Sequence, residues 1–229
     1  MISVLTLTYG RKQLLEEVIF SFLSQNHDNS EMVIINDEPN VVYSYNHPKI
    51  KIYNLPQRFE NISKKLEWGF KQCEYDYIYR LDDDDLFSID ALKNVEKQIN
   101  ENPNYEIYRN VSHFYFEHNK FLGVKNSINT GNVYTKKYLE RIIFPNKNWG
   151  EDLDITFNFN AKIHDSKNTP TMIYRWGMET FHISGMGNIE IKEQYDWADR
   201  LKEKNEGIID LSPKFNDNYY KQIQSYYGY

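Results

Sequence analysis

Over its first hundred residues the chain alternates between two hydrophobic periods, and this alternation restricts its fold more than any other feature. Ile2–Leu7 is a β-rich run broken at Tyr9-Gly10, and Leu14, Leu15, Val18, Ile19, Phe22 and Leu23 follow at helical spacing. Glu31–Ile35 is apolar and β-branched and stops in the polar cluster Asn36-Asp37-Glu38-Pro39-Asn40. Lys49–Leu55 predicts a third strand, and Ile62, Leu66, Gly69, Phe70 and Cys73 a second helix. Tyr75–Leu81 predicts a fourth strand that runs directly into Asp82-Asp83-Asp84-Asp85. Ser88 then caps a third helix, with Ile89, Leu92, Val95 and Ile99 on one face and a stop at Asn102-Pro103. Strands alternating with helices predict an α/β fold with a mostly parallel central sheet flanked by helices. Ligands of such sheets sit beyond the C-terminal strand ends. Here those ends carry Thr8-Tyr9, Asp37 and Asp82–Asp85, so the three are expected to share one crevice.

The second half reads differently. Tyr105–Arg109, Val111–Glu117 and Phe121–Lys125 predict short β segments, Thr135–Arg141 a short helix and Leu153–Lys162 another. Met172–Trp176 and Thr180–Ile183 predict strands around Gly177, and Ile189–Lys204 and Asp217–Tyr227 predict helices. No repeat, low-complexity linker or boundary divides the chain, so a single domain over residues 1–229 is expected, a length one α/β sheet accommodates.

Composition excludes several function classes. A net charge of −6 argues against general nucleic-acid or anionic-membrane binding. The lone Cys73 excludes an intrachain disulfide framework and a cysteine-rich zinc site. No run approaches the length of a membrane span, and the N-terminus lacks a signal peptide's basic and long apolar regions. A soluble, cytoplasmic, reduced protein is therefore expected. Its aromatic content of 16% supplies a core.

Most charge runs are solvated turns. The run at Asp82–Asp85 differs because an apolar strand precedes it and Leu86-Phe87 follows it. Carboxylates crowded at a strand end repel one another, and hard oxygen ligands suit Mg²⁺ or Mn²⁺, which in turn hold phosphates. Glu151 and Asp152, taken alone, need no purpose beyond favouring a helix dipole.

The ordered set of motifs resembles the family 2-type glycosyltransferases with the nucleotide-diphosphosugar (GT-A) fold. Val4-Leu5-Thr6-Leu7-Thr8-Tyr9-Gly10-Arg11 is similar to that family's opening strand and turn, and Val33-Ile34-Ile35-Asn36-Asp37-Glu38 to its second strand end. Leu81-Asp82-Asp83-Asp84-Asp85-Leu86 matches its DXD motif, and Gly150-Glu151-Asp152-Leu153-Asp154 its "ED" motif. Between them, Thr130-Gly131-Asn132-Val133, Lys136-Lys137-Tyr138-Leu139 and Ile143-Phe144 resemble the acceptor-side block. The resemblance covers residues 2–165 in order. It implies a GT-A domain with a nucleotide-sugar half (1–101) and an acceptor half (102–229).

It also implies metal-dependent, inverting transfer of a sugar from a nucleoside-diphosphate sugar, UDP-linked by preference, to a saccharide or other hydroxyl acceptor. Thr8, Tyr9, Arg11, Asp37, Lys65, Asp82 and Asp83 would bind the donor. Asp84 and Asp85, with His182 as a C-terminal third ligand, would hold Mn²⁺ or Mg²⁺. Asp152 would be the general base and Glu151 would position the acceptor or the helix start, with Asp154 as the substitute base. A lipid-linked acceptor would require peripheral membrane contact. Sugar C–H faces stack on aromatic rings, so Trp149, just before Glu151-Asp152, and Trp176 are the acceptor-side candidates. Tyr219, Tyr220, Tyr226, Tyr227 and Tyr229 could form a capping helix, an acceptor surface or a subunit contact. Two positions depart from the pattern. Asn36 stands where the family has Asp, and Lys65-Leu66-Glu67-Trp68-Gly69 lacks the usual donor-side Arg, leaving Lys64, Lys65 or Arg58 to supply its charge. A sugar nucleotidyltransferase would need a longer, glycine-rich phosphate loop than Thr8-Tyr9-Gly10-Arg11, and a silent carbohydrate-binding module would not need the acidic motifs.

Overall fold

The period-2 runs of the N-terminal half become the centre of a seven-stranded sheet. The computed structural model describes residues 1–126, 130–148, 150–166, 170–177, 199, 202–215 and 218–228. In chain order its elements are β1 (Ile2–Thr8), α1 (Lys12–Leu23), β2 (Ser30–Asn36), β3 (Val41–Ser44), β4 (Ile50–Asn54), α2 (Ile62–Gln72), β5 (Tyr77–Arg80), β6 (Leu86–Phe87) and α3 (Ala91–Glu101). These are followed by β7 (Ile107–Asn110), β8 (Ser112–Glu117), β9 (Lys120–Asn126), β10 (Val133–Thr135), α4 (Lys136–Arg141), α5 (Glu151–Phe157), β11 (Ile163–Ser166), β12 (Met172–Trp176), β13 (Gly207–Asp210) and α6 (Tyr219–Tyr227). The large sheet has the order β11-β7-β10-β5-β1-β2-β4. Its pairings are parallel except for β10, which runs antiparallel between β5 and β7.

Both faces of this sheet are covered, which is why its central strands read as continuous apolar runs. Ile2 and Val4 of β1, with Met32 and Ile34 of β2, pack on Leu15, Val18, Ile19 and Phe22 of α1 and on Leu92 and Val95 of α3. The alternate residues Leu5, Leu7, Val33 and Ile35 pack on Leu66 and Phe70 of α2, Leu139 of α4 and Ile155 of α5. Gly69 lets α2 approach the sheet closely: a Cβ there would lie 2.9 Å from Leu5 Cδ1 and 3.1 Å from Ile35 Cγ1. A second sheet, β6-β12-β8-β9, is closed on one side by α6. Tyr219 of α6 packs on Phe116, and the Tyr220 hydroxyl donates to Phe87 O at 3.0 Å, so this part of the tyrosine-rich terminus is a capping helix. Among the described residues no helix is long and apolar enough to cross a membrane.

Several local expectations are corrected. Ser88 does not cap α3. Its hydroxyl donates to Pro170 O at 2.6 Å, tying β6 to the start of β12, and the helix begins after Asp90, which takes a left-handed φ of 56°. The helix expected over 153–162 stops at Phe157, because Ile163–Ser166 pairs with β7. Lys202–Lys204 are irregular rather than the end of a helix, and the strand expected at 180–183 lies outside the described residues. The short strands β3, β6, β10, β11 and β13 were not anticipated. β3 and β13 pair in parallel from opposite ends of the chain, Val41 facing Gly207.

His113 of β8 is fully buried, with Nε2 donating toward Thr130 O at 3.3 Å and Nδ1 without a hydrogen-bond partner. Burial pushes this imidazole down to about 4. The unfolded chain, with an ordinary histidine at 6.5, then binds one proton more than the folded chain between those two values, so stability falls as pH drops through that window. The full effect is on the order of 3 kcal/mol. Urea unfolding of His113→Gln is expected to show a flatter acid limb than the parent chain, and an unaltered limb would contradict the assignment.

Candidate active site

The sheet order places β5, β1 and β2 side by side, so their C-terminal ends adjoin. Beyond β5 the chain is fastened to β1: Leu81 N donates to Leu5 O at 3.0 Å and Thr6 Oγ1 to Leu81 O at 2.8 Å. The acidic run then turns on itself, Asp85 N donating to Asp82 O at 3.1 Å. One oxygen from each of Asp82, Asp84 and Asp85 lies within 4.8 Å of the others. Asp82 is the open member, its side chain 29% exposed, whereas Asp83 is fully buried.

Arginines stabilise this turn. Arg11, in the β1–α1 loop, grips Asp83 with two nitrogens (Nε to Oδ2, 3.1 Å) and reaches Asp84 Oδ2 at 3.4 Å. Arg175 of β12 donates from Nε to Asp84 O at 2.5 Å and from its backbone N to Asp85 Oδ1 at 3.3 Å. Its Nη1 is paired with Glu17 of α1 and lies 3.2 Å from the Tyr219 hydroxyl. Burial still pushes Asp83 up to about 6 against the pull of Arg11. Burial together with the neighbouring Asp84 and Asp82 pushes Asp85 well above the carboxylate range.

The "ED" turn faces this loop from α5, which starts after Gly150 at φ +64°. Glu151 is buried and accepts from Arg80 Nη2 at 2.8 Å; Arg80, the last residue of β5, also donates from Nε to Asp82 Oδ1 at 3.2 Å. Arg80 thus bridges the two acidic motifs. Among the described residues no side chain donates to the Asp152 carboxylate. Burial pushes Asp152 above its ordinary value, Asp82 adds to this, and Arg80 opposes it. Asp154 is occupied elsewhere, by Lys147 at 2.5 Å and Asn158 at 2.9 Å. Thr130, in the acceptor-side block, donates to Asp82 Oδ2 at 3.4 Å.

On the other side of the crevice, Lys65 of α2 is buried and pairs with Asp37 while donating to Thr8 O at 2.7 Å. The second Asp37 oxygen accepts from Phe59 N at 3.0 Å. Burial lowers the Lys65 pKa, and Asp37 holds it up. Arg58 stacks over the Tyr9 ring at 3.9 Å, and the Tyr9 hydroxyl donates to Asp199 at 2.8 Å. Asn36, the departure from the family's Asp, has its amide committed to the scaffold. It donates to Val41 O at 2.7 Å and Asn54 Oδ1 at 3.0 Å, and its own oxygen accepts from Glu38 N at 3.2 Å. The exchange therefore anchors β3 to β2.

Adjoining strand ends and these contacts thus bring together Thr8, Arg11, Asp37, Lys65, Asp82–Asp85 and Glu151-Asp152, with Tyr9 beside them under Arg58. Trp176 ends β12 opposite Glu117 and is half-buried. Trp149 and His182 lie outside the described residues. Sequence reasoning missed Arg80, Arg175 and Glu17. The available signal was a single arginine inside each of two otherwise apolar or aromatic strands, Tyr-Ile-Tyr-Arg and Met-Ile-Tyr-Arg-Trp.

The profile described as "Glycosyl transferase family 2" matches residues 3–160, a span that holds every motif above. The chain belongs to this glycosyltransferase family. Solved GT-A structures share its fold. S. aureus TarS 1-349 in complex with UDP-GlcNAc matches with a TM-score of 0.65 and 18% identity over 87% of this chain and 65% of that one. S. aureus TarS 1-349 without that ligand in its description gives 0.60 and 17% over 76% and 60%. The mannosyltransferase PcManGT from Pyrobaculum calidifontis, in complex with GDP-Man and Mn²⁺, gives 0.56 and 15% over 76% and 56%. The chain spans less than two thirds of the length of these TarS structures. No curated protein sequence matches it.

Because Arg175 is fully buried, removing its charge takes an ion-pair partner from the buried Glu17 and removes the guanidinium that holds the acidic turn. Arg175→Met is expected to lower stability by about 3–5 kcal/mol in urea unfolding at pH 7. A loss under about 1 kcal/mol would show that the turn is held by other contacts.

Proposed function

We propose that this glycosyltransferase moves a sugar from a nucleoside-diphosphate donor, UDP-linked in the first instance, onto a hydroxyl of a saccharide or related acceptor, with inversion. The observation carrying this reading is the pairing of an acidic cluster with a second, bridged acidic turn at the C-terminal ends of β5 and β1. The TarS structures in complex with UDP-GlcNAc and with UDP favour UDP over the GDP-Man of the mannosyltransferase.

Thr8, Tyr9, Asp37 and Lys65 border the nucleotide, with Arg11 and Asp83 supporting that wall from behind. Asp82 meets the ribose or the sugar. Asp84 and Asp85, with Asp82 beside them, would hold Mn²⁺ or Mg²⁺. The donor set fits, being hard oxygens within 4.8 Å whose mutual repulsion a cation relieves. When bound, such an ion supplies Lewis-acid stabilisation of the charge that develops on the departing diphosphate.

Asp152 accepts the acceptor hydroxyl's proton as that oxygen bonds to the anomeric carbon. The bond from that carbon to the diphosphate oxygen breaks on the opposite face, and the nucleoside diphosphate leaves with the electron pair. A carboxylate lifted by burial is a stronger base than a solvated one, provided it stays ionised, and Arg80 helps keep it so. Glu151 spends its charge on Arg80 and orients the turn. Trp176, and Trp149 by sequence adjacency to Glu151, offer faces for the acceptor sugar.

UDP-GlcNAc with Mn²⁺ tests the reading by release of UDP, with water or an added saccharide as acceptor. Asp152→Asn is expected to lower kcat by about 100- to 10,000-fold while UDP binding holds; unchanged turnover would remove Asp152 as the base. Asp84→Ala is expected to abolish the Mn²⁺ dependence of UDP binding in calorimetry, and persistence of that dependence would remove Asp84 as a ligand.

A further inference from the structure

Arg80 occupies a position that the transfer mechanism above uses only in passing. Its side chain is 8% exposed, and two nitrogens of its fork reach carboxylates on different elements: Nε to Asp82 Oδ1 at 3.2 Å on the acidic turn, and Nη2 to Glu151 Oε1 at 2.8 Å on α5. Its third nitrogen, Nη1, is buried with no hydrogen-bond partner. The planar fork fixes both carboxylates relative to one guanidinium, which a flexible point charge such as lysine does not do. Glu151 and Asp152 share the first turn of α5, so holding Glu151 also sets the position of Asp152.

We propose that Arg80 is a positioning residue that locks Asp82, on the donor side, to the Glu151-Asp152 turn, on the acceptor side, and so sets the distance across which the sugar is passed. The inference rests on the proposed transfer. It predicts a much larger effect on turnover than on nucleotide affinity, since Arg80 contacts none of Thr8, Tyr9, Asp37 and Lys65 and reaches the donor side through Asp82 alone.

The test uses the full chain with UDP-GlcNAc and Mn²⁺, comparing Arg80→Met, Arg80→Lys, Glu151→Gln and Arg80→Met/Glu151→Gln. Arg80→Met is expected to lower kcat by about 100-fold, the scale of a 1 Å misplacement, with donor KM and UDP affinity within about threefold of the parent. Arg80→Lys restores little of the loss, because it keeps the charge and loses the fork. The double variant is expected to be no slower than Arg80→Met alone, since both changes break one link. An Arg80→Met enzyme at parental kcat, full rescue by lysine, a loss of UDP affinity equal to the loss of kcat, or additive effects in the double variant would each overturn the inference. Thermal unfolding of the same four variants gives a second cycle that needs no turnover, and additive Tm shifts there would also overturn it. If the parent chain turns over neither UDP-GlcNAc nor GDP-mannose, the transfer reading itself fails, and the thermal cycle still decides whether Arg80 couples the two turns.

Discussion

Like charges held within 4.8 Å of one another repel by about 3 kcal/mol at an effective dielectric of about 20, so the Asp82–Asp85 turn needs cations around it to form at all. The protein supplies them as arginines from separate parts of the chain. Arg11 comes from the loop after β1, Arg80 from the end of β5 and Arg175 from β12, almost a hundred residues further on. Each one ties the turn to a different element. Arg175 carries it to Glu17 of α1 and Tyr219 of α6, and Arg80 carries it to α5. Relief of one electrostatic conflict therefore also joins the two sheets and the helices packed on them. The compensation is uneven, since the buried Asp83 and Asp85 still sit above their ordinary carboxylate range. Asp82 is left as the half-open member of the turn.

The central strands were legible because burial on both faces imposes a continuous apolar run. That is true of β1, β2 and β5, whose adjoining C-terminal ends lead into Thr8, Asp37 and Asp82–Asp85. The strands that were missed are too short or too exposed to show such a run. β6 has two residues and β10 three, too few for a period to show. β13 is largely exposed and owes its existence to β3, some 160 residues away, with which it pairs. Ser88 looked like a helix cap because local sequence favours that role. Its hydroxyl instead went to Pro170, a partner no local window contains.

The site shows the same division between local and distant causes. The carboxylates announced themselves by clustering, but the groups that neutralise them did not. An arginine in a strand ordinarily reads as a surface residue, and only the fold shows that Arg80 and Arg175 are buried between acids. Likewise Lys65 reads as one of three basic candidates, with Lys64 and Arg58. The structure separates it from its neighbour Lys64, which is paired with Glu67 near the surface, whereas Lys65 points inward to Asp37 and Thr8 O.

The departure from the family pattern at Asn36 has a physical reason. Asn36 is fully buried and uses its whole amide on backbone and side-chain partners within the scaffold. An aspartate there would lose both donations and place a charge where the neighbouring acceptors, Val41 O and Asn54 Oδ1, are also negative in character. The residue is thus dictated by the attachment of β3. Asp37 is held on one oxygen by Lys65 and on the other by a backbone amide, which fixes its plane. Each carboxylate oxygen retains a second lone-pair direction, so a further donor can be met there without breaking either contact.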